Sequence, residues 1–126
     1  MADPEDVIRR YVEASSAADG DAAAALTADD AVIELPDGGT LKGKEGARQF
    51  AAKHAEADGR KQSVTLTSLA ERSPGRFLAT LEMTNREVAT DELLYSMDVG
   101  GVIDVRDGLI TRNRAFPSPE EAAAAV

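Results

Sequence analysis

The chain has 126 residues, of which 43% are hydrophobic, and its 23 acidic and 14 basic side chains give a net charge of −9. This length suits a single domain with its own core, and the acidic balance disfavours nucleic acid or an anionic membrane surface as the main partner. The lack of cysteine excludes a disulfide framework and a thiolate-bound metal, and one histidine is too few for a dedicated transition-metal site.

The sequence contains no targeting or membrane signal. Its first residues, MADPEDVIRR, are acidic and lack the apolar core of a signal peptide. No stretch approaches the roughly 20 apolar residues that a membrane-spanning helix requires. We therefore expect a cytoplasmic protein that forms one domain over residues 1–126 and has no membrane partner.

The N-terminal segment predicts an amphipathic helix. Asp3 and Pro4 are typical of a helix start, because the aspartate caps the first turn and proline fits the first helical position. An apolar stripe follows at helical spacing, formed by Val7, Ile8, Tyr11 and Val12. The pair Asp19-Gly20 predicts the end of this helix.

Two further helices are predicted before residue 60. Asp21 is expected to cap a short alanine-rich helix that runs through Leu26. A third helix is predicted over residues 44–57. Its inner face consists of Ala47, Phe50, Ala51 and His54.

The remaining segments alternate apolar and polar residues, as half-buried strands do. Predicted strands cover residues 31–35, 40–42, 63–70, 76–86, 92–105 and 109–116. The sequence Arg106-Asp107-Gly108 is typical of a hairpin turn between the last two strands. Ser118-Pro119-Glu120-Glu121 could cap a helical turn, but the alanines that follow have nothing to pack against, so we expect residues 118–126 to form a frayed tail.

Helices followed by long strands are typical of an α+β fold. We predict a cone-shaped half-barrel, with three N-terminal helices packed in the concave face of a curved, mainly antiparallel sheet. The strand over 92–105 carries large apolar side chains on both faces, for example Tyr95 and Met97 on one and Leu94 and Val102 on the other. We therefore expect the convex face to meet a second copy of the chain, which gives a homodimer.

Six short motifs occur in a fixed order along nearly the whole chain. They are Arg10-Tyr11-Val12, Asp19-Gly20-Asp21, Ala28-Asp29-Asp30-Ala31, Glu34-Leu35-Pro36, Lys42-Gly43-Lys44-Glu45-Gly46 and Asp107-Gly108-Leu109-Ile110. In this order they resemble the nuclear transport factor 2-like superfamily, which includes ketosteroid isomerases, SnoaL-like polyketide cyclases, limonene epoxide hydrolases and scytalone dehydratases. The resemblance implies a conical pocket between helices and sheet for a small apolar or carbonyl-containing ligand, with no cofactor and no metal.

The first half of the chain resembles the ketosteroid isomerases most closely. In those enzymes the tyrosine of an Arg-Tyr pair donates a hydrogen bond to the developing oxyanion, and the resemblance assigns this role to Tyr11. Their general base is the aspartate of a Glu-Asp-Pro sequence, which here reads Glu34-Leu35-Pro36. Leu35 cannot accept a proton, so we expect it only to contact the ligand. Strand alternation directs Glu34 to the opposite face. Steroid isomerisation by the family mechanism is therefore not expected.

The resemblance also implies an acid on the long strand, and Asp98 is the nearest candidate. In ketosteroid isomerases a protonated aspartate there assists the tyrosine, and in polyketide cyclases an aspartate on this strand looks like the acid/base. An ungapped count from the final hairpin reaches Gly100, which shares the face of Asp98. A carboxylate at position 98 is solvated, paired with Arg112 or Arg114, or a pocket acid with a raised pKa.

Three other residues each have a structural and a functional interpretation. Tyr11 is either a core tyrosine with a bonded hydroxyl or a hydroxyl donor inside the cone. Asn113 is either exposed on the last strand or orients a ligand or a water in the pocket. His54, the single histidine, is either structural or an acid or base at the pocket mouth.

The leading hypothesis is a pocket protein that acts as a cofactor-free acid/base isomerase or cyclase on a carbonyl or polyketide-like compound. Asp98 would move the proton, and Tyr11 with Asn113 would stabilise the enolate. The alternative is a non-catalytic ligand-binding or dimerisation module, which the loss of the base at Leu35 favours. An epoxide hydrolase-like hydratase needs an Asp-Arg-Asp relay, of which Asp98 and Arg112 supply only part.

Overall fold

The computed structural model describes residues 3–126, in which four helices pack on one six-stranded sheet. The helices are α1 (Pro4–Ser16), α2 (Gly20–Ala25), α3 (Gly43–Ala52) and α4 (Pro119–Ala125). The strands are β1 (Thr27–Glu34), β2 (Thr40–Lys42), β3 (Arg60–Ser73), β4 (Arg76–Glu87), β5 (Leu93–Arg106) and β6 (Leu109–Phe116). None of the helices described over 3–126 is long and apolar enough to cross a membrane.

Side-chain caps set the starts of the first two helices. The Asp3 carboxylate accepts a hydrogen bond from the Glu5 N–H at 3.0 Å and caps α1, as predicted. Asp19, rather than Asp21, caps α2, because its carboxylate accepts from the Ala22 N–H at 3.1 Å, three residues later. The prediction of Asp21 as the cap was therefore wrong by two residues.

The sheet has the strand order β2-β1-β6-β5-β4-β3. Every neighbouring pair is antiparallel except β1 and β6, which run parallel. A parallel pair requires a long connection, and here the segment from β2 to β5 provides it. Helix α1 packs against β3, β5 and β6, and α3 packs against β1. The predicted α+β cone, with helices on one side of a mainly antiparallel sheet, is confirmed.

Strand register decides which residues of β5 face the helices. Ile103 lies opposite Phe77 of β4, and Gly101 lies opposite Ala79. Phe77, Ala79 and Ile103 belong to the buried core beneath the helices. Side chains alternate along a strand, so the odd-numbered residues from 97 to 103 lie on this inner face of the sheet. The even-numbered residues from 96 to 102 lie on the outer face.

The C-terminal segment forms a short helix instead of the expected frayed tail. Ser118 caps α4 by accepting a hydrogen bond from the Glu121 N–H at 3.2 Å. Ala122 is fully buried against the outer face of β5, where Gly100 has no side chain. A Cβ at Gly100 would lie 2.6 Å from the Ala122 Cβ. The tail thus packs through a contact between two small residues that are distant in sequence.

Of the six large apolar side chains that are exposed among residues 3–126, all but Val126 cluster at one end of β5. This β5-end patch consists of Val88, Leu93, Leu94, Tyr95 and Met97. Tyr95 and Met97 lie opposite Asn85 and Met83 of β4 and share the inner face with the cavity-lining residues. The central outer face therefore carries fewer large apolar side chains than the sequence predicted.

Candidate functional site

A cavity of about 450 Å³ lies between the helices and the inner face of the sheet. Most of its wall is apolar, with contributions from Val12, Leu35, Phe50, Val64, Leu81, Met83, Met97, Val99 and Ile103. The side chains with polar groups are few, namely Tyr11, Ser15, Asp37, Lys53, His54, Gln62 and Asn113. An apolar cavity with a few convergent polar groups is the usual form of a small-molecule site.

Tyr11 and Asn113 form the central polar contact of the cavity. The Asn113 Nδ2 group donates a hydrogen bond to the Tyr11 hydroxyl oxygen at 3.0 Å. Both side chains are buried, with exposed fractions of 1% for Tyr11 and 5% for Asn113. Since the tyrosine oxygen accepts this bond, its own O–H proton remains available to a second acceptor. The two residues singled out in the first helix and the last strand are therefore brought together.

The Tyr11 hydroxyl keeps its proton over the physiological range. Burial raises the pKa of Tyr11 to about 12, and the hydrogen bond from Asn113 and the nearby Ser15 hydroxyl offset only part of that effect. A neutral phenol is a hydrogen-bond donor, and it carries no charge that would repel an electron-rich oxygen. The site is thus suited to bind a carbonyl or enolate oxygen.

Ser15 is a cavity residue that sequence reasoning missed. It follows Tyr11 by one turn of α1, and its side chain is 2% exposed. Its Oγ is close enough to Tyr11 to influence the tyrosine pKa, but it makes no hydrogen bond of good geometry with residues 3–126. The spacing of four residues on one helical face was the available signal, because residues i and i+4 are neighbours on a helix.

His54 lies in the turn after α3, since that helix ends at Ala52 and not at residue 57 as predicted. The ring is 4% exposed and meets the Phe50 ring edge-on, with 5.8 Å between centroids. Burial, followed by the positive charge of Lys61, lowers the pKa of His54 below 6.5, so the imidazole is neutral at pH 7. Its Nδ1 atom is buried and has no hydrogen-bond partner within the described part of the chain.

Leu35, which the resemblance to ketosteroid isomerases aligns with their base, lines the cavity. The neighbouring Glu34 faces outward, as predicted, and accepts hydrogen bonds from Arg112 at 3.0 and 3.1 Å. The carboxylate next to the base position is therefore held in an ion pair on the other side of the sheet. It cannot substitute for the missing base.

Asp98 does not reach the cavity. It is exposed on the outer face of β5, opposite Glu82 of β4. The expectation of a pocket acid at Asp98 fails, because the register of β5 directs Met97 and Val99 inward instead. Gly100, the position reached by counting from the hairpin, is also on the outer face. No titratable residue of β5 therefore lines the cavity.

The alternative pairings of Asp98 are not present either. Arg112 pairs with Glu34, and the Arg114 Nη2 group donates to the Ala125 carbonyl oxygen at 3.2 Å. An Asp98–Arg112 relay of the epoxide hydrolase type is therefore not assembled in the cavity. No group of three potential metal ligands of the His, Cys, Asp or Glu type comes together among residues 3–126.

The fold and the cavity together define a cone-shaped α+β protein with a mostly apolar internal pocket. A family model described as a SnoaL-like domain matches residues 8–113, which is most of the chain. The protein therefore belongs to the SnoaL-like family. No curated protein sequence matches the chain.

Several solved structures have the same fold. A putative polyketide cyclase from Xanthomonas campestris pv. campestris is 26% identical, with a TM-score of 0.70, and the match covers 96% of this chain and 94% of that one. A putative polyketide cyclase from a Silicibacter species is also 26% identical, with a TM-score of 0.69 and coverage of 98% and 94%. A ketosteroid isomerase-like protein from Catenulispora acidiphila, in complex with trimethylamine, is 16% identical with a TM-score of 0.71 and coverage of 89% and 85%.

Proposed function

We propose that the protein binds a small, mainly apolar carbonyl compound in its cone and that the Tyr11 hydroxyl donates a hydrogen bond to the carbonyl oxygen. The observation that carries this proposal is the buried Tyr11–Asn113 hydrogen bond in a cavity whose wall is otherwise mostly apolar. Asn113 holds the phenol in place and leaves its proton for the ligand. The chemistry is of the isomerase or cyclase type, in which a carbonyl becomes an enolate.

The polar groups and the apolar wall have separate tasks in this proposal. The wall contributes affinity through burial of apolar surface, at about 25 cal/mol per Å². The buried hydroxyl selects a ligand with an acceptor oxygen, because a ligand without one would leave the phenol proton unpaired. Ser15, one turn away, is positioned to support the same oxygen. The similarity to putative polyketide cyclases agrees with a carbonyl-containing ligand.

A non-catalytic ligand-binding module is the second candidate. The observation in its favour is that Leu35 occupies the base position and Asp98 lies on the outer face. In that case the Tyr11 donor serves recognition alone. Both candidates require the same ligand contact at Tyr11, so the binding test below applies to each.

The test uses prodan, a fluorescent naphthyl ketone whose emission responds to the polarity around its carbonyl group. We expect the wild-type protein to bind it with a blue-shifted emission, and Tyr11→Phe to weaken binding about tenfold, the value of one buried hydrogen bond. Tyr95→Phe is the matched control, because Tyr95 is not among the residues that line the cavity. Equal affinity in the wild type and Tyr11→Phe would contradict the proposed contact.

We also propose that the protein acts as a homodimer, in which the second copy covers the β5-end patch. Single exposed apolar side chains are normal on a protein surface, whereas five close together are typical of an interface. In this proposal the contact lies at the end of the sheet, whereas the sequence predicted the convex face. The cytoplasmic location stays a prediction from the sequence.

A further inference from the structure

We propose that His54 is the catalytic base of this cavity and removes a proton from the carbon next to the carbonyl group that Tyr11 binds. The inference rests on the proposed function, because it requires a carbonyl compound in the cone. It extends that function, because it assigns proton transfer to a residue that is not at either of the two positions where the family resemblance implies an acid or base. Those positions are Leu35 and the acid on β5, and neither supplies a titratable group to the cavity.

Three side chains in the cavity wall have the chemistry of a base or acid besides Tyr11, namely Asp37, Lys53 and His54. Asp37 lies in the exposed turn between β1 and β2, where its carboxylate accepts a hydrogen bond from the Gly39 N–H at 2.8 Å. Lys53 is exposed at the cavity mouth. His54 alone is buried in the wall, so it can meet a ligand away from water.

His54 shares one cavity with Tyr11. Both residues line this cavity, whose volume is about 450 Å³. The α-carbons of a ketone are two bonds from its oxygen, so a ligand whose oxygen meets Tyr11 places them inside the cavity that His54 also lines. The edge-on contact with Phe50 fixes the imidazole ring, which gives the base a defined direction.

The protonation state of His54 suits a base at neutral pH. Burial is the main cause of its lowered pKa, and the charges of Lys61 and Lys53 act in the same direction. The Ala51 and Phe50 carbonyl groups oppose part of the effect. Tyr11 and Asp37 are the other titratable groups of the cavity wall. The Nδ1 atom is fully buried and makes no hydrogen bond of good geometry with the described residues, which leaves Nε2 as the ring nitrogen that can meet a ligand.

The proton-transfer step is balanced within the site. An imidazole nitrogen of His54 forms a bond to the proton on the α-carbon while the C–H bond breaks. The electron pair moves into the carbonyl group, and the enolate oxygen accepts a hydrogen bond from Tyr11. Return of the proton from imidazolium to the same or a conjugated carbon completes an exchange or an isomerisation without any further reactant.

The test measures deuterium exchange into the α-positions of 3-methylcyclohex-2-enone in D₂O by NMR. We expect the wild-type protein to accelerate exchange, with a rate that rises with pH and levels off above the pKa of His54. His54→Gln should lower the protein-catalysed rate by about 100-fold, the smaller end of the usual effect of a general base. Its prodan affinity should stay within about twofold of the wild type, since the hydrogen bond at Tyr11 remains.

His54→Ala with added imidazole is the second variant, because an external base can restore proton transfer but cannot repair a packing defect. Recovery of exchange with imidazole supports His54 as the base. Unchanged exchange in His54→Gln overturns the inference, and so does loss of exchange together with loss of prodan binding and no rescue. If the wild type binds prodan but exchanges no deuterium, only this inference fails. If it binds no prodan, the proposed function fails.

Discussion

The Tyr11 hydroxyl owes its chemistry to the cost of burying a charge. A phenolate in this cavity would lack the water that stabilises it in solution, and Asn113 supplies only one hydrogen bond in compensation. The proton therefore stays on the oxygen, and the group acts as a donor. The same physical effect acts in the opposite direction on His54, where burial disfavours the cation and leaves a neutral base. Burial in the same cavity thus leaves a hydrogen-bond donor at Tyr11 and a neutral imidazole at His54.

At the residue scale, Tyr11 should titrate later than an ordinary tyrosine. In a Tyr95→Phe background Tyr11 is the sole tyrosine, and tyrosinate absorbance should show a midpoint near pH 12 in the folded protein. The folded pKa is raised above the unfolded value of 10.0, so this contribution to stability is complete below pH 10 and is lost as the pH rises towards 12.

Titration in concentrated guanidinium is the control, and its midpoint should fall near the ordinary tyrosine pKa of 10.0. A folded-state midpoint equal to the unfolded one would show that the hydroxyl is solvated. That result would contradict the proposed function, which requires the Tyr11 hydroxyl to be a buried hydrogen-bond donor. The measurement needs no ligand, so it tests the site independently of any binding experiment.

At the scale of elements, the contact between α4 and β5 depends on an absent side chain. A seven-residue helix is too short to be stable alone in water, so α4 requires tertiary packing. It receives that packing where Ala122 approaches Gly100 on the outer face. The glycine serves close approach here, because its φ is not in the left-handed region that favours glycine.

Gly100→Ala should therefore displace α4 and destabilise the protein by about 1–3 kcal/mol, the usual cost of overpacking. The added Cβ would meet the Ala122 Cβ at 2.6 Å and the Ser118 carbonyl oxygen at 2.9 Å, and the latter is backbone that cannot move aside easily. Urea denaturation measures the free energy of unfolding, and limited proteolysis after residue 117 detects release of the helix.

Gly101→Ala is the matched control for this experiment. It adds the same methyl group to the next residue, but the nearest atom is the Arg114 carbonyl oxygen at 3.5 Å, an ordinary van der Waals distance. We expect its unfolding free energy to stay within about 1 kcal/mol of the wild type. Equal effects of the two substitutions would mean that the α4 contact does not control stability.

At the scale of the whole molecule, the two faces of the sheet have different chemistry. The inner face carries the core and the cavity, while the outer face carries ion pairs such as Arg76–Asp104 and Arg112–Glu34. Exposed apolar surface is concentrated at the β5-end patch. A second copy that covers this patch would bury Met97, which belongs to the patch and also lines the cavity. Assembly and ligand access would then be linked.

We expect the wild-type protein to sediment as a dimer at micromolar concentration and the double variant Leu93→Lys/Leu94→Lys to sediment as a monomer. Two lysine charges in an apolar contact would be desolvated without partners, which should weaken the dimer at least about tenfold. Ser68→Lys is the control, because Ser68 is exposed and lies opposite Thr80 on the outer face.

Sedimentation velocity distinguishes the outcomes. A wild-type monomer would refute the homodimer altogether. Dissociation by Ser68→Lys but not by the double variant would place the interface on the convex face, as the sequence predicted. Both results are readable without knowledge of the ligand.

Much of the fold was predictable because it depends on local patterns. The apolar stripe with Tyr11, the caps and turn residues, and the alternation of the long strands each indicate an element over a short window of sequence. The inward orientation of Tyr11, and the opposite directions of Leu35 and Glu34, follow from the same periodicities. Boundaries were less certain, as the early end of α3 shows.

Helical and strand periods specify which residues share a face, so the family architecture could be predicted from the chain alone. Which face of the long strands lines the cavity depended on tertiary contacts. On β5 the same alternation fits Asp98 inside or outside, and pairing with β4 settles it as outside. The packing of α4 on Gly100 and the meeting of Tyr11 with Asn113, 102 residues apart, are likewise long-range contacts. Periodicity carries no information about partners distant in the chain.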